Sequence, residues 1–176
     1  MQAYFMRHAH TNFNEQNLCN DNPLTDVHLT QTGIQQARQA AGKLRDCKLE
    51  LIVVSELPRT RQTAEIINDD HHAPIAVNPT LNDIRTGFDG RSVDAYFEAV
   101  ADDPLHKSVN GGESLLQYKQ RVSPYLDWLR QQPYTTTLTI AHEETLRVIY
   151  AMLHQVPDNQ LRSLHFRNCA FFHANI

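Results

Sequence analysis

The sequence has 176 residues, of which 41% are hydrophobic and 20% are charged, and its formal net charge at pH 7 is −4. This length and composition are typical of one globular domain, which we expect to span residues 1–176. The negative charge argues against nucleic acid as a partner, because binding a phosphate backbone over a broad surface needs a basic face.

Two further features bear on where the protein works. No run of about eighteen apolar residues is present, and the segment Met1–Met6 is too short and uncharged for a signal peptide. We therefore expect no membrane partner and a cytoplasmic location. The three cysteines, Cys19, Cys47 and Cys169, are widely spaced and form no Cys-x-x-Cys pair, which favours reduced thiols over a disulfide framework or a thiolate zinc site.

Short β-rich runs alternate with helical patterns along the chain. The predicted strands, in chain order, are Ala3–Met6, Leu51–Val54, Ile75–Val77, Thr137–Ala141 and Ala170–Phe172. The predicted helices cover Ile34–Leu44, Pro58–Ile67, Leu115–Leu129 with a break at Pro124, and a segment after His142. The stretch from Thr80 to Gly112 carries no clear strand signal. This alternation predicts an α/β fold, a three-layer sandwich with a mostly parallel central sheet and helices on both faces.

Three segments that follow predicted strands carry residues suited to phosphate chemistry. Arg7 can bind phosphate oxygens and, as a permanent cation, keeps the neighbouring His8 neutral. Pro58 suits the first position of a helix, so that Arg59 lies in an opening turn whose free N–H groups attract anions. His142 starts another helix at the same sheet edge. Each segment alone is also typical of a solvated loop or an exposed helix start, so the phosphate site depends on their convergence.

The same segments belong to a longer ordered set of motifs. In chain order these are Arg7-His8-Ala9 with Thr11 and Asn14, Leu29–Ala37, Ser55–Ala64, Leu81–Ile84, Gly87–Gly90, Gly112-Glu113-Ser114 and Ala141-His142-Glu143. Together they resemble the histidine phosphatase superfamily, which includes the cofactor-dependent phosphoglycerate mutases and many small phosphatases. The resemblance spans most of the chain.

The resemblance implies a phosphomonoester hydrolase that needs neither metal nor cofactor and acts on a small phosphorylated substrate. His8 would take the phosphoryl group, and Asp83 would protonate the leaving alcohol. The implied ligands of the phosphoryl oxygens are Arg7, Asn14, Arg59, His142 in its protonated form and the backbone N–H of Glu143. The sequence indicates no particular oligomeric state.

Three positions differ from the family pattern. Ala9 replaces a glycine, and Asp83 replaces a glutamate, which makes a turn-forming role the alternative for this residue. Glu143 replaces a glycine whose N–H binds phosphate. A carboxylate facing a phosphate dianion would repel it, whereas acidic residues are favourable in the first turn of a helix. We therefore expect the N–H of Glu143 to face the phosphate and its carboxylate to point outward.

The other polar residues of these motifs receive structural interpretations. We interpret Gln36, Thr63 and Ser114 as helix-surface or capping residues, and Glu113 as a helix-start carboxylate near the site. We expect the segment from Arg85 to Asn110 to form the wall that contacts the rest of the substrate. Its cations are Arg85, Arg91, His106 and Lys107.

Three alternative functions stay open at this point. The pairs His8/His10 and His71/His72 suggest a metal site, but no carboxylate or cysteine at suitable spacing completes a ligand set. A non-catalytic phosphate-binding module is the second alternative, in which the departures from the family pattern would mark lost activity. A mutase is the third. It is disfavoured because the family's mutases are usually longer between the acid and the Gly-Glu-Ser motif, a segment that here is only Ile84–Gly112.

Overall fold

The protein is described by a computed structural model that covers residues 1–176. The strands are β1 (Gln2–Arg7), β2 (Leu51–Val54), β3 (Ile75–Val77), β4 (Thr136–Ala141) and β5 (Phe171–Asn175). The α-helices are α1 (Asn12–Glu15), α2 (Gln31–Leu44), α3 (Pro58–Asn68), α4 (Val93–Ala99), α5 (Leu115–Val122), α6 (Pro124–Arg130) and α7 (Glu143–His154). Short 3-10 helices lie at Arg45–Cys47, Pro79–Leu81 and Asp158–Ser163. None of the helices is both long and apolar enough to cross a membrane.

The five strands form one sheet in the order β3-β2-β4-β1-β5. Strands β1 to β4 are parallel to one another. Only β5, which pairs with β1 at the edge of the sheet, runs antiparallel. β1 and β4 lie side by side with Arg7 opposite Ala141. The residues that follow them, His8 and His142, therefore leave the sheet at adjacent points of its carboxyl edge, as predicted.

The two faces of the sheet bury separate apolar clusters, because successive strand residues point to opposite sides. On one face, Phe5 and Val53 belong to a cluster completed by α5, α6 and α7. On the other face, Met6 and Val54 belong to a cluster completed by α2 and α3. Burying a side chain of this size contributes about 1.5–3 kcal/mol. The predicted three-layer α/β sandwich is confirmed.

The long predicted helix over residues 115–129 is divided in two at the proline. α5 ends at Val122 and α6 begins at Pro124, because proline lacks an N–H and its ring clashes with the preceding turn. Ser114 caps α5, since its hydroxyl accepts from the N–H of Gln117 at 3.2 Å. Its interpretation as a capping residue is confirmed.

The stretch without strand signal contains α4, a helix that the sequence pattern did not predict. With 7 residues it is too short to show a helical repeat. It starts where the hydroxyl of Ser92 accepts from the N–H of Asp94 at 3.1 Å. Tyr96 packs with Phe88 and Val100 in a small separate cluster. This segment forms one wall of the candidate site.

Candidate active site

His8 lies directly after β1 and is almost fully buried. Its Nδ1 is 2.8 Å from the carbonyl oxygen of Ala9, an acceptor, so Nδ1 carries the proton of the neutral ring. Nε2 then holds the lone pair, and Arg59 Nε donates to it at 3.2 Å. Burial, followed by the charges of Arg59 and Arg7, holds the pKa of His8 well below its ordinary value. The ring is a neutral base with its reactive nitrogen toward the arginines.

The turn after His8 is held by residues from two helices. Thr63 of α3 accepts from the N–H of Ala9 at 3.0 Å, and Gln36 of α2 accepts from the N–H of His10 at 3.0 Å. Both side chains therefore position the turn. Their interpretation as helix-surface or capping residues is wrong, because local sequence does not show that two helices pack against this turn.

Arg59 occupies the centre of the site, in the opening turn of α3. It is almost fully buried, and its Nη1 donates to Asn20 Oδ1 at 2.7 Å. Its Nη2 donates to the Asn20 carbonyl at 3.0 Å and to Asp83 Oδ2 at 3.1 Å. Asn20 was missed by sequence reasoning because it lies in a loop that matches no motif. These contacts fix the guanidinium beside His8.

His142 ends β4 and precedes α7, with its ring centroid 5.3 Å from that of His8. Its Nε2 lies 3.0 Å from the hydroxyl oxygen of Ser55. Its Nδ1 is buried without a hydrogen-bond partner and lies 3.6 Å from Asp83 Oδ2. Burial and then the charge of Arg59 hold the pKa of His142 well below its ordinary value. In this structure the ring is therefore neutral.

Asp83 completes the cluster from the loop after the 3-10 helix Pro79–Leu81. Its Oδ1 accepts from the N–H of Ile84 at 2.9 Å, and its Oδ2 contacts Arg59. Burial raises the pKa of Asp83 to about 6, although the charge of Arg59 acts in the opposite direction. This carboxyl can carry a proton in mildly acidic solution.

The backbone around Asp83 is held by a buried ion pair. Arg121 donates from Nη2 to the carbonyl oxygens of Asn82 and Asp83, at 3.1 Å each. Glu113 is 5% exposed and accepts from Arg121 Nε at 2.8 Å and Nη2 at 2.9 Å. Glu113 thus holds the arginine that supports the Asp83 loop.

Asn14 reaches the pocket from α1. Its Oδ1 accepts from the N–H of Thr11 at 3.1 Å, as part of the cap of that helix, and from Asn168 at 3.3 Å. These bonds leave the amide nitrogen of Asn14 without a partner among the protein's hydrogen bonds. Because Asn14 lines the cavity, this amide is available as a donor there.

Glu143 does not point outward, which corrects the prediction. Its Oε2 accepts from Arg7 Nη1 at 2.8 Å and its Oε1 accepts from Arg147 Nη2 at 2.9 Å. Two guanidinium groups together offset the charge of Glu143, that of Arg7 from a distant part of the sequence and that of Arg147 from the same helix. Arg7 Nη1 also donates to the carbonyl of Phe166, whereas Arg7 Nε is buried without a partner. Glu143 therefore holds one end of Arg7 and leaves the Nε end unpaired.

His142 lies next to His8 but is not part of the cavity lining. The residues described above that do line a cavity, of about 540 Å³, are Arg7, His8, Asn14, Asn20, Arg59, Asp83 and Glu143. This volume is well within the range of roughly 300–1,000 Å³ of small-molecule sites and larger than a phosphate ion needs. Its polar lining comes from Arg7, His8, Asn14, Asn20, Arg59, Asp83, Glu143, Glu144, Arg147 and Arg162. Its apolar lining includes Leu18, Val27, Val93, Tyr96, Phe97 and Val100.

The segment from Arg85 to Asn110 forms a wall of this cavity, as predicted, through Thr86, Val93, Tyr96, Phe97, Val100, Ala101 and Pro104. The four cations named in the segment are not among the lining residues. Arg85 pairs with Glu113 and is largely exposed, and Arg91 stacks on Phe88. His106 and Lys107 pair with Asp103 and Asp102 at the surface. Charge alone did not show that these side chains turn away from the cavity while the apolar residues of α4 face it.

The histidine pairs considered for a metal do not gather further ligands. His10 Nδ1 lies 3.0 Å from the hydroxyl of Thr30. No group of three or more His, Cys, Asp or Glu side chains is arranged to hold a metal ion.

The sequence is similar to curated relatives over nearly its whole length. It matches the family model of the histidine phosphatase superfamily (branch 1) over residues 3–176. It is 30% identical to a probable phosphoglycerate mutase GpmB of Erwinia tasmaniensis, over 97% of this chain and 82% of that protein. A protein of the same name from Enterobacter sp. is 31% identical with the same coverage.

The fold is similar to solved phosphatase structures. The alpha-ribazole phosphatase of Shigella flexneri superimposes with a TM-score of 0.90 at 25% identity, over 100% of this chain and 91% of that one. A putative alpha-ribazole-5'-P phosphatase of Escherichia coli gives a TM-score of 0.82 at 28% identity, over 93% of this chain and 84% of that one. The chain therefore belongs to the histidine phosphatase superfamily, branch 1.

Proposed function

We propose that the protein hydrolyses phosphomonoesters through a phosphohistidine on His8. The observation that carries the proposal is the convergence of one nucleophile with unpaired donors. His8 Nε2 is a buried lone pair, and Arg7 Nε and His142 Nδ1 are buried nitrogens of the same site without partners. Buried polar atoms in proteins are nearly always paired, so these are suited to ligand oxygens.

In the binding step, a phosphate dianion accepts from the Nε end of Arg7, the amide of Asn14 and the N–H of Glu143. Arg59 transfers its Nε hydrogen bond from His8 to a phosphoryl oxygen, which releases the His8 lone pair for attack. The negative charge raises the pKa of His142, because a nearby opposite charge favours the imidazolium. His142 then donates from Nδ1, while Ser55 keeps the ring in place. Positioning and charge neutralisation supply most of the rate in phosphoryl transfer.

In the chemical step, His8 Nε2 forms a bond to phosphorus as the ester P–O bond breaks. Asp83 gives its proton to the departing alkoxide, which leaves as the alcohol. The proton of His8 stays on Nδ1, which donates it in a hydrogen bond to the carbonyl oxygen of Ala9 and so stabilises the phosphohistidine. A water then attacks phosphorus, Asp83 takes a proton from it, and the P–N bond breaks to release phosphate and restore His8.

The first test is chemical trapping of the intermediate. With a phosphoryl-labelled ester, we expect label on His8 that survives alkaline quench and disappears on acid quench, because a phosphoramidate is acid-labile. The His8→Ala variant should bind orthophosphate and show no turnover. Label on a serine or on His10 would contradict the assignment.

A phosphoglycerate mutase is the second candidate, because the relatives from Erwinia tasmaniensis and Enterobacter sp. are named probable phosphoglycerate mutases. A mutase must also hold a substrate carboxylate and a second phosphoryl group. The arginines beyond the phosphate residues, Arg147 and Arg162, are paired with Glu143 and Glu144, which favours hydrolysis. Transfer of labelled phosphate from the enzyme to a phosphoglycerate hydroxyl, faster than release to water, would reverse this preference.

We place this activity in the cytoplasm as part of the proposal. All three cysteines are unpaired thiols, which is the usual state in a reducing compartment. The partner is a small phosphorylated substrate.

A further inference from the structure

The cavity continues past the phosphate residues to an aromatic wall on α4. Tyr96 and Phe97 both line it, and their ring centroids are 5.3 Å apart. Phe97 is 39% exposed and is one of three large hydrophobic residues with such exposure, the others being Leu24 and Val77. Apolar surface in contact with water is unfavourable by roughly 25 cal/mol per Å². A ligand that covers the Phe97 ring would recover this free energy.

Facing this wall is a chain of paired charges. Glu144 accepts from Arg147 at 2.8 Å and also pairs with Arg162. Arg162 Nη2 donates to the hydroxyl of Tyr96 at 3.0 Å, and its guanidinium lies 5.0 Å from the centroid of the Phe97 ring. Both arginines therefore have carboxylate partners. This end of the cavity has no free cation for a second anionic group of a substrate.

Within this group of paired charges, two buried polar atoms have no hydrogen-bond partner. They are Glu144 Oε2, an acceptor, and Arg162 Nε, a donor. The Glu144 side chain is only 9% exposed and lines the cavity. An unpaired buried carboxylate oxygen costs free energy that a ligand donor would remove.

We propose that Tyr96, Phe97, Glu144 and Arg162 form a leaving-group subsite for a neutral alcohol that carries an aromatic ring with an N–H or O–H donor. The ring stacks on Phe97, and its donor reaches Glu144 Oε2. This subsite would define the alcohol part of the substrate of the phosphatase proposed above, and the inference rests on that function. It disfavours esters whose alcohol carries a carboxylate or a second phosphate.

The test compares three probe esters, namely a hydroxyindole phosphate, 1-naphthyl phosphate and glycerol 1-phosphate. We expect Phe97→Ala to lower the ratio of kcat/KM for naphthyl over glycerol phosphate by about tenfold, because the stacking partner is lost. We expect Glu144→Gln to lower the indolyl over naphthyl ratio by about fivefold, because an amide accepts more weakly than a carboxylate. Comparing each ratio between the variant and the unaltered protein cancels the intrinsic reactivity of the leaving groups. Val77→Ala, an exposed site on β3, is the control that should leave both ratios unchanged.

A binding measurement separates this proposal from the proposed function. Calorimetry with the free hydroxyindole on the His8→Ala protein should show binding that Phe97→Ala weakens. If the free hydroxyindole binds in this way but the unaltered protein hydrolyses none of the esters, the result would support the subsite and contradict the phosphatase. Hydrolysis of all three esters with ratios unchanged in both variants would overturn the subsite and leave the phosphatase standing.

Discussion

His8 and Asp83 owe their ionisation states to the same buried setting, with opposite results. Burial disfavours the charged form of any group, so it lowers the pKa of the imidazole and raises that of the carboxyl. The proposed nucleophile is therefore unprotonated and the proposed acid protonated in the same mildly acidic range. Asp83 is one methylene shorter than the glutamate that the family has at this position. Its position 3.1 Å from Arg59 Nη2 supports a role at the phosphate.

The pH dependence of turnover follows from Asp83. The acid form is needed to protonate an alkyl leaving group and is lost as pH rises through about 6, the pKa of this carboxyl. We expect kcat for an alkyl ester to fall above that pH by about tenfold per unit. In Asp83→Asn this fall of kcat at higher pH should vanish and kcat below pH 6 should drop. Asp83→Glu should keep the fall. A fall that persists unchanged in Asp83→Asn would remove this residue from the acid role.

Glu143 is a residue at which charge alone misled the sequence argument. Its carboxylate is 24% exposed and lies between Arg7 and Arg147, so most of its repulsion for a phosphate is offset. Its effect on the site is to hold the Nη1 end of Arg7. We regard it as a positioning residue for that arginine.

Removal of this carboxylate should cost stability. We expect Glu143→Ala to lower the free energy of unfolding by about 1–3 kcal/mol, because Arg7 loses its carboxylate partner and Arg147 keeps only Glu144. Urea unfolding measures this. Glu65→Ala, which removes an exposed pair with Arg61, should change it by less than about 0.5 kcal/mol. Affinity for phosphate esters should change less than about tenfold. A gain of orders of magnitude would make Glu143 a gate on the site.

At the scale of elements, two strand ends and two helix starts assemble the site. β1 and β4 present their histidines side by side, and α3 and α7 begin at the same edge, where free N–H groups favour anions. The turn after β1 depends on α2, which approaches it closely at Gly33. A Cβ atom there would lie 2.0 Å from the carbonyl oxygen of His10, so only glycine permits this approach.

Gly33→Ala tests this contact between a helix and the catalytic turn. We expect a loss of about 1–3 kcal/mol in unfolding free energy and a lower kcat, because the backbone of the turn must move. Gly42→Ala in the same helix is the matched control, since its Cβ would meet nothing within 4 Å. It should stabilise the protein by about 0.5–1 kcal/mol. Equal effects of the two substitutions would show that α2 does not constrain the turn.

At the scale of the whole molecule, the sheet gathers cations onto one cavity although the net charge of the chain is −4. Arg7, Arg59, Arg147 and Arg162 all line that cavity. Arg147 and Arg162 are paired with Glu143 and Glu144, so the proposed mechanism relies on Arg7 and Arg59 to neutralise the phosphate.

Chelation tests whether the arginines suffice. We expect kcat in EDTA to stay within about twofold of its value in untreated buffer, because guanidinium groups bind the phosphoryl oxygens directly. The measurement is steady-state hydrolysis after dialysis against chelator. Loss of turnover that zinc or magnesium restores would replace this mechanism with a metal-assisted one.

The sequence by itself determined the fold class, four of the five strand positions to within a residue or two, and the convergence of His8, Arg59 and His142 at one edge of the sheet. Strands and helices follow from hydrophobic periodicity, which is local, and the three motif residues stand at the ends of those elements. The tertiary structure alone decided the direction of Glu143 and which residues of α4 line the cavity. Arg7 and Glu143 are 136 residues apart in the chain, and neither residue type nor spacing specifies which distant cation a carboxylate meets. That choice depends on how the layers pack, because an ion pair forms only where packing brings its two charges together and keeps water out.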